Sequence, residues 1–229
     1  MKRTRVEKHF DGVAKDYDFY KNKNSFYYQN LKELLGNLIP DGKKVFEIGC
    51  GTGDLLNYLN SQEGYGFDIS SRMIGLAKKK YKQDLVARSP GKKTRKLYFS
   101  TVWPKETFDY VFMSDVIEHL EDPQKTFKQI SGLMNKKSEL VVTMANPIWE
   151  PVLMVAEKLK LKMPEGPHNR IGYQKLKIQM EEAGIKIVKH DYKLLVPVKI
   201  PGITNFANRY LEKPLKRFAF IEYFIAVLC

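Results

Sequence analysis

Short runs of β-branched and aromatic residues alternate with longer amphipathic stretches along most of the chain. This alternation is typical of a parallel sheet whose strands are connected by helices. We predict strands at 44–48, 65–69, 97–100, 110–113 and 140–144. Helical patterns follow the first two strands, and a helix from about 123 to 134 precedes the last. Together these elements predict a doubly wound sheet.

The pattern changes beyond the fifth strand. An amphipathic helix is predicted at 147–163, and after a break rich in proline and glycine a second helix ends at the stop signal Ala183-Gly184. Strand-like runs at 185–188 and 218–228 bring the predicted sheet to seven strands. We therefore predict an α/β fold with a doubly wound, Rossmann-like, mostly parallel sheet. Helices would cover both faces, and the carboxy-terminal half would be elaborated into a lid.

The composition is that of an ordinary globular chain, because 43% of its 229 residues are apolar and 28% are charged. It excludes intrinsic disorder, collagen and a disulfide scaffold. The formal net charge of +13 favours anionic partners such as phosphorylated metabolites, acidic lipid or RNA.

The amino end of the chain and its cysteines indicate a location in a reducing compartment. The amino end is charged, and no apolar run approaches the roughly 18 residues that span a bilayer. The two cysteines, Cys50 and Cys229, lack the spacing of a disulfide framework or a zinc site. We therefore expect a cytoplasmic protein without a bound metal.

The segment 84–96 contains Pro90-Gly91 and five basic residues, among them Arg95 and Lys96. Proline-glycine pairs mark turns, and clustered charges mark solvated surface. We expect this segment to be a solvated, mobile loop that ends where the third strand begins.

A glycine-rich turn, Gly49-Cys50-Gly51-Thr52-Gly53, separates the first strand from the next helix. In a parallel sheet this turn brings a ligand against backbone amides, and a β-carbon would block the approach. One alternative is a dinucleotide site, whose fingerprint places glycines at the first, third and sixth positions. Counted from Gly49, the sixth position is Asp54, whose carboxylate would repel a pyrophosphate. This argues against NAD and FAD.

The motif Glu47-x-Gly49-x-Gly51-x-Gly53 resembles motif I of the class I S-adenosylmethionine-dependent methyltransferases. Fifteen residues beyond Gly53, Asp68 ends the predicted second strand, where the acid of that family accepts hydrogen bonds from both ribose hydroxyls. The same spacing would serve the ribose of a dinucleotide, so Asp68 supports an adenosine ligand and the glycine spacing decides between the two. The resemblance implies S-adenosyl-L-methionine as the cofactor.

Further segments are similar to the ubiquinone/menaquinone-biosynthesis-like (methyltransferase type 11) branch of that family. Phe10-Asp11-x-x-Ala14-x-x-Tyr17-Asp18 is similar to its amino-terminal segment, which closes over the cofactor. Residues 108–120 resemble its fourth strand and active-site crossover, and Ala145-Asn146-Pro147 resembles the turn after the fifth. We expect one domain over 1–229, with a helical cap at 1–40, a cofactor-binding core at 41–146, and an acceptor-side lid with the last strands at 147–229.

The cofactor-binding residues expected from this resemblance lie at the ends of the first four strands and in the amino-terminal segment. They are Tyr17, Glu47, Gly49, Cys50, Gly51, Gly53, Asp68, Ile69, Met73, Ser100, Thr101 and Ser114. Met73 either packs against the adenine or belongs to the core, and Tyr17 either contacts the ligand or fixes the first helix to the sheet. Many relatives carry an acid after the third strand, but this chain has Ser100-Thr101-Val102-Trp103, so adenine contacts from that loop are in doubt.

Methyl transfer to an oxygen or carbon acceptor also requires a base, and histidines near the carboxyl edge of the sheet are the first candidates. His119 follows the fourth strand, and His168 lies in the irregular segment between two helices. Each is either the base or a residue that orders its loop. We expect His9 and His190 to be surface or structural residues.

The acceptor is expected to be a small, anionic or amphiphilic metabolite, such as a quinone precursor or a phosphorylated or lipid-linked sugar. The plainest interpretation of the 147–163 helix is packing on its own sheet, although an acceptor lid or peripheral contact with an anionic membrane are alternatives. Basic residues beside aromatics at 206–220 either bind RNA or extend over an apolar sheet edge.

Two other functions stay open. RNA methylation is compatible with the charge, but the Asn/Asp-Pro-Pro-aromatic motif of adenine-amino methylating families is absent after the fourth strand, where the chain has Ser114-Asp115-Val116-Ile117. Nucleic acid is therefore the less favoured partner. A non-catalytic cofactor-binding protein would keep the same fold. The oligomeric state is left open.

Overall fold

The computed structural model describes residues 4–81, 95–164, 166–169 and 171–229. Most of the segment expected to be a basic loop, together with Glu165 and Arg170, lies outside the described residues.

Seven strands form one sheet in the order β3-β2-β1-β4-β5-β7-β6. The strands are β1 Lys44–Ile48, β2 Glu63–Phe67, β3 Lys96–Ser100, β4 Tyr110–Ser114, β5 Glu139–Ala145, β6 Ile185–Lys193 and β7 Ile221–Leu228. The first five pair in parallel, and β7 is antiparallel to both β5 and β6. The predicted seven-stranded, mostly parallel, doubly wound α/β fold is confirmed.

Helices cover both faces of this sheet and precede it at the amino end. The α-helices are α1 Arg5–Val13, α2 Tyr17–Lys23, α3 Ser25–Leu38, α4 Asp54–Tyr58, α5 Ser71–Lys80, α6 Pro123–Ser131, α7 Glu150–Lys158, α8 Tyr173–Glu182 and α9 Ile203–Phe206. Single 3₁₀ turns occur at Ile117–His119, Pro147–Trp149 and Lys216–Phe218, and a π-helical turn at Ala207–Leu211 follows α9.

The core has two layers because neighbouring strand residues point to opposite faces of the sheet. Val45 packs with α3, α4 and α5 on one face, whereas Phe46 packs with α6 and α8 on the other. Both side chains are fully buried. Strands covered on both faces are apolar at every position, which is why the central strands were visible in the sequence.

The amphipathic helix predicted at 147–163 is shorter and more exposed than expected. It consists of one 3₁₀ turn and α7, which ends before Lys160, a residue with a φ of 56°. No residue of α7 is buried. The segment packs on its own sheet only in part: Trp149 and Leu153 contact the core, whereas α3 to α6 and α8 cover the two faces and leave most of α7 exposed at the carboxyl edge.

The expectation of a solvated basic loop is also wrong at its carboxyl end. The Arg95 side chain is buried, and its Nη1 donates hydrogen bonds to the carbonyl oxygens of Asn57 and Leu59 at 2.8 Å each. These carbonyls lie at the end of α4, where helical partners are missing, so the guanidinium satisfies them. Lys96 already belongs to β3.

Among the described residues, no helix combines the length and the apolar character needed to cross a membrane.

Candidate active site

The turn between β1 and α4 has three glycines in a conformation that other residues avoid. The φ angles of Gly49, Gly51 and Gly53 are 71°, 51° and 83°. A β-carbon at Gly49 would lie 2.3 Å from Cγ2 of Val116, and one at Gly51 would lie 2.9 Å from Cε1 of Tyr17. The turn therefore needs glycine both for its backbone path and for the close approach of its neighbours.

Asp68 follows β2 and points back to this turn. Its Oδ2 accepts a hydrogen bond from the Gly51 amide at 2.8 Å, and its Oδ1 accepts one from the Ser70 amide at 2.8 Å. Burial raises the pKa of Asp68 to about 6, although the two amides oppose the rise. A carboxylate oriented by two amides beside a glycine turn is suited to accept hydrogen bonds from a pair of hydroxyls.

Glu47, near the end of β1, is buried below the turn. Its Oε2 accepts a hydrogen bond from the Leu56 amide at 3.1 Å, which fixes the start of α4 relative to the sheet. Burial raises the pKa of Glu47, while the charge of Lys21 acts in the opposite direction.

The amino-terminal helices lie directly on this site. Ser70 Oγ donates a hydrogen bond to Asp11 Oδ1 at 2.6 Å, and Thr52 Oγ1 donates one to Asp18 Oδ1 at 2.6 Å. The Tyr17 ring lies against Gly51, and burial raises the pKa of its phenol well above the ordinary value. The segment from α1 to α2 thus covers the turn and the acid that the sequence assigned to cofactor binding.

Lys21 of α2 places a positive charge beside Tyr17 and the first residue of α4, Asp54. Its Nζ lies 3.6 Å from Asp54 Oδ2 and about 5 Å from the ring centroids of Tyr17 and Tyr28. The Asp54 carboxylate also accepts hydrogen bonds from Lys80 and from the Tyr81 hydroxyl, at 2.6 Å each. Burial raises the pKa of Asp54, but these partners outweigh it and the net pKa is lowered. Asp54 is thus neutralised by its own neighbours, which weakens the sequence argument that it would repel a pyrophosphate.

Buried polar atoms without a partner gather where β4 and β5 end. Ser114 Oγ, Asp115 Oδ1, Glu118 Oε2 and Thr143 Oγ1 have no hydrogen-bond partner among the described residues. Ser114 and Thr143 are neighbours in the register of the two strands. Buried polar atoms are normally satisfied, so such a group indicates a place that receives a ligand. It lies beside the glycine turn, since β4 pairs with β1.

Asp115 is held in an unusual conformation at this place. Its φ is 55°, in the left-handed region, and its Oδ2 accepts a hydrogen bond from the Tyr27 hydroxyl at 2.7 Å. Burial raises the pKa of Asp115, against the hydrogen bond from Tyr27 and the charge of Lys162. A strained carboxylate with one satisfied and one unsatisfied oxygen is typical of a ligand-binding residue.

The residues present fit S-adenosylmethionine. Backbone amides and carbonyls of the glycine turn suit its carboxylate and ammonium, and the carboxylate of Asp68 suits its ribose hydroxyls. The unpartnered oxygens of Ser114 and Asp115 add acceptors at the neighbouring strand end. Glu47, Gly49, Gly51, Gly53, Asp68, Tyr17 and Ser114 thus lie together, as the sequence predicted for a single site.

Three further residues predicted to bind the cofactor, Cys50, Met73 and Ile69, differ in their burial. Cys50 packs its thiol into the sheet against Gly66, so only its backbone faces the turn, and burial raises the pKa of the thiol. Met73 is buried, and its amide donates a hydrogen bond to Ser70 Oγ, whereas Ile69 is exposed.

The loop after β3 touches the site through its backbone. The Ser100 carbonyl accepts a hydrogen bond from the Asp68 amide at 3.3 Å, while its hydroxyl accepts one from the Val102 amide. Thr101 is exposed. Trp103 packs on Phe46 and Phe67, with ring centroids 5.5 and 5.3 Å apart.

The two candidate histidines lie next to each other, with ring centroids 6.5 Å apart. Nδ1 of His119 lies 3.0 Å from the Pro167 carbonyl oxygen, and Nδ1 of His168 lies 3.1 Å from that of Gly166. A carbonyl only accepts, so each Nδ1 atom carries a proton, and in a neutral ring the Nε2 atom is then the acceptor. Burial lowers the pKa of His119, which keeps it neutral.

His168 faces a cleft at the carboxyl ends of β4 and β5. The cleft is lined by Ile117, Glu118, Met144, Ala145, Pro147, Glu150, Leu153, His168 and Ile171. His168 Nε2 lies 3.9 Å from Glu150 Oε1. Burial and the nearby Asp115 raise the pKa of Glu118 to about 8, so its carboxyl is mostly protonated near neutral pH.

Sequence analysis did not identify Tyr27, Lys21 and Glu150 as site residues. Tyr27 and Asp115 are 88 positions apart, and no local pattern connects them. Glu150 could have been identified from its position in the first turn of a helix after β5, because ligands bind at that edge of the sheet.

The strand order with an antiparallel β7, the glycine turn after β1 and the acid after β2 define the fold of the class I S-adenosylmethionine-dependent methyltransferases. The chain belongs to the methyltransferase domain family, whose model matches residues 19–190. The recognition of class and cofactor from motif I is thereby confirmed.

Individual relatives are distant, and their alignments cover only part of each protein. An uncharacterized protein of Methanocaldococcus jannaschii, MJ1123, is 26% identical over 58% of this chain and 59% of its own. A ubiquinone biosynthesis O-methyltransferase of Rhodopseudomonas palustris is 27% identical over 56% of this chain and 51% of its own. The chain thus spans between half and three fifths of the length of these relatives.

A solved structure shows the same fold over nearly the whole chain. It is the magnesium protoporphyrin IX methyltransferase of Synechocystis with bound SAH, which aligns with 98% of this chain and 98% of its own at a TM-score of 0.65 and 19% identity. This likeness extends the common fold to α1 and β7, which lie outside the segment matched by the family model.

Proposed function

We propose that this chain catalyses the transfer of a methyl group from S-adenosylmethionine to a small acceptor of amphiphilic or anionic character, free or lipid-linked. The single observation that carries this proposal is the cleft at the ends of β4 and β5, which lies beside the glycine turn and contains Glu118, Glu150 and His168. A cofactor site and an acceptor cleft on the same sheet edge are what a group transfer between two small molecules requires.

The chain's own residues would bind the cofactor and the acceptor, align the two molecules and exclude water from the site. S-adenosylmethionine, when bound, supplies a methyl group on a sulfonium that a nucleophile attacks in line. Asp68 and the Gly51 turn would hold the nucleoside and amino-acid portions. Tyr17 and the α1–α2 segment would cover the site, which fits the expected role of residues 1–40 as a cap and 41–146 as the cofactor-binding core.

His168 is the stronger candidate for the base. It lines the cleft with its Nε2 3.9 Å from Glu150 Oε1, and a carboxylate beside an imidazole stabilises the imidazolium that forms when the proton is taken. Burial keeps His119 neutral, but this residue does not line the cleft, and its ring packs on Phe10. We propose His119 as a residue that positions the 166–169 segment through Pro167.

The cleft favours an amphiphilic over an anionic reacting end. Its polar side chains are carboxyls and an imidazole, and its other walls are apolar, so a negative charge at the reacting end would be repelled. The protonated Glu118 and the carboxyl oxygens of Glu150 instead suit a hydroxyl or another hydrogen-bonding group. This lining, and the expected acceptor-side lid within 147–229, support a small molecule over a nucleic acid.

The test is incubation of the purified chain with methyl-labelled S-adenosylmethionine and fractionated cell extract. Label is expected in the lipid or small-molecule fraction, and Asp68→Ala should lower it when the cofactor concentration is limiting. Label in RNA would support RNA methylation instead. Cofactor binding without transfer to any fraction would support a non-catalytic binding protein.

A further inference from the structure

Exposed apolar side chains are concentrated in two segments. Among the described residues, six of the large apolar side chains that are strongly exposed lie at 148–161, eight lie at 198–218, and only six lie elsewhere. Leu159 is 63% exposed and Phe206 is 57% exposed. Scattered exposure of this kind is ordinary, but a cluster of this size marks an interaction surface.

The two segments form one surface, called here the apolar–basic face (148–161 and 198–218). The indole Nε1 of Trp149 donates a hydrogen bond to the Phe218 carbonyl at 2.8 Å, and Asn146 Nδ2 donates one to the Arg217 carbonyl at 2.9 Å. One segment follows β5 and the other follows β6, and both strands are antiparallel to β7. Both segments therefore leave the same edge of the sheet.

The charge of this face is positive. Residues 198–218 contain five basic residues against one acid, Glu212. That acid is turned inward, since it accepts hydrogen bonds from the Leu194 amide and from Lys193. Lys158, Lys160, Lys199, Arg209 and Lys213 are all exposed. The segment 148–161 adds two half-buried acids, Glu150 and Glu157, and two exposed lysines, so the excess positive charge of the face comes from 198–218.

We propose that the apolar–basic face docks on the surface of an anionic lipid bilayer. Apolar side chains flanked by lysine and arginine are the composition of segments that lie in the membrane interface, where the side chains enter the acyl boundary and the cations meet the headgroups. The nine residues of α7 are too few to cross a bilayer. The face thus provides both components of interfacial binding.

Other occupants match this face less well. Single-stranded RNA could stack its bases on the exposed Phe206, Tyr210 and Phe218, but it would leave the aliphatic side chains of α7, such as Val152 and Val155, without a partner. A symmetric contact with a second copy would bring the same positive charge of 198–218 against itself. An anionic bilayer would cover the apolar side chains of this face with its acyl region and meet the basic side chains with its headgroups.

Docking would give the acceptor cleft direct access to lipid. Pro147, Glu150 and Leu153, which line the cleft, precede or belong to α7. An acceptor held in the bilayer could reach His168 without passing through water. This consequence rests on the proposed function, whereas docking itself does not.

The test is co-sedimentation of the protein, without cofactor or acceptor, with vesicles of phosphatidylcholine alone or of an equal mixture of phosphatidylcholine and phosphatidylglycerol. Binding should be at least tenfold stronger to the mixed vesicles and should weaken at high salt. The double variant Arg209→Glu/Lys213→Glu should lower binding about 25-fold or more, because each basic residue near the surface supplies a factor of about five. Lys136→Glu/Lys137→Glu, at the opposite edge of the sheet, should leave binding unchanged.

A second pair of variants tests the apolar part. Leu159→Ser/Phe206→Ser should lower vesicle binding at least tenfold, whereas Val102→Ser, at a residue that is 70% exposed elsewhere, should not. All these side chains are exposed, so the fold should persist, and circular dichroism checks it. Equal binding to both vesicles, or equal binding by all variants, would overturn the proposal. So would stronger binding to RNA through the same residues, or a dimer that Leu159→Ser/Phe206→Ser dissociates.

Because no cofactor is present in this assay, its outcome is independent of methyl transfer. A protein that binds vesicles but transfers no methyl group would contradict only the proposed function. One that transfers methyl groups and does not bind vesicles would contradict only the docking.

Discussion

The ring of Tyr17 lies so close to Gly51 that a β-carbon at position 51 would come within 2.9 Å of its Cε1 and 3.0 Å of its hydroxyl. This contact joins the amino-terminal cap to the turn that the family uses for its cofactor. The turn is thus bounded by the sheet below and by an aromatic ring above, and a side chain at position 51 would enter the space between them.

Gly51→Ala is expected to lower the affinity for S-adenosylmethionine at least tenfold. The φ of 51° costs alanine about 1 kcal/mol of stability, and its methyl group also occupies the space of the ligand and of Tyr17. Gly42→Ala is the matched control, because Gly42 has a φ of 76° and an added β-carbon there meets nothing within 4 Å. Gly51→Ala should lose more stability in urea unfolding, because its methyl group also meets Tyr17, and it alone should lose affinity in calorimetry. Equal affinities would remove Gly51 from the cofactor site.

Asp68→Ala is expected to weaken cofactor binding by about 1.5 to 3 kcal/mol, the contribution of hydrogen bonds to a charged group. The Gly51 and Ser70 amides would also lose their acceptor, so the thermal midpoint is measured alongside calorimetry. Asp41→Ala removes a carboxylate that bonds only the Asn60 side chain, and it should not change affinity. If Asp68→Ala binds the cofactor as well as the unchanged protein, the ribose has a different partner.

His168→Ala and Glu150→Gln are expected to lower the turnover number at least tenfold while leaving the dissociation constant of S-adenosylmethionine within a factor of about two. The reason is that both line the acceptor cleft and neither contacts the glycine turn. His190→Ala is the control histidine, since its Nε2 is engaged by Glu222 at 2.7 Å on the last strands. If both variants keep full turnover on the true acceptor, neither His168 nor Glu150 takes part in removing the proton of the acceptor.

Glu118→Gln is expected to gain stability relative to the unchanged protein as the pH rises from 4.5 toward about 8. In this window the folded protein keeps a proton on Glu118 that the unfolded chain has lost, so its free energy of unfolding falls with rising pH. Glutamine does not titrate, and its curve lacks this slope. Urea unfolding across the window measures the difference, with the exposed Glu33→Gln as control. Parallel curves would mean that Glu118 is ionised in the folded protein at neutral pH.

The sheet and the glycine turn could be predicted because their signals are local. Val45 and Phe46 are both apolar since both faces of β1 are covered, and Gly49 to Gly53 mark backbone angles that other residues avoid. The Tyr27–Asp115 hydrogen bond could not be predicted, since it joins helix α3 to the end of β4. The exposure of α7 was also hidden, because an amphipathic pattern looks the same whether its apolar side meets a sheet or another partner.

Arg95 illustrates the limit of charge patterns, and it gives the last prediction. Arg95→Ala is expected to lower the free energy of unfolding by about 3 kcal/mol or more, because two buried carbonyl oxygens at the end of α4 lose a charged donor. Arg95→Lys should recover only part of this loss, since one ammonium cannot reproduce the fork that also contacts the Asn57 side chain. Lys96→Ala, at the exposed neighbouring position, should change stability by less than about 0.5 kcal/mol. Urea unfolding of the three variants decides the matter: if Arg95→Ala is as stable as Lys96→Ala, the guanidinium does not hold α4 to β3.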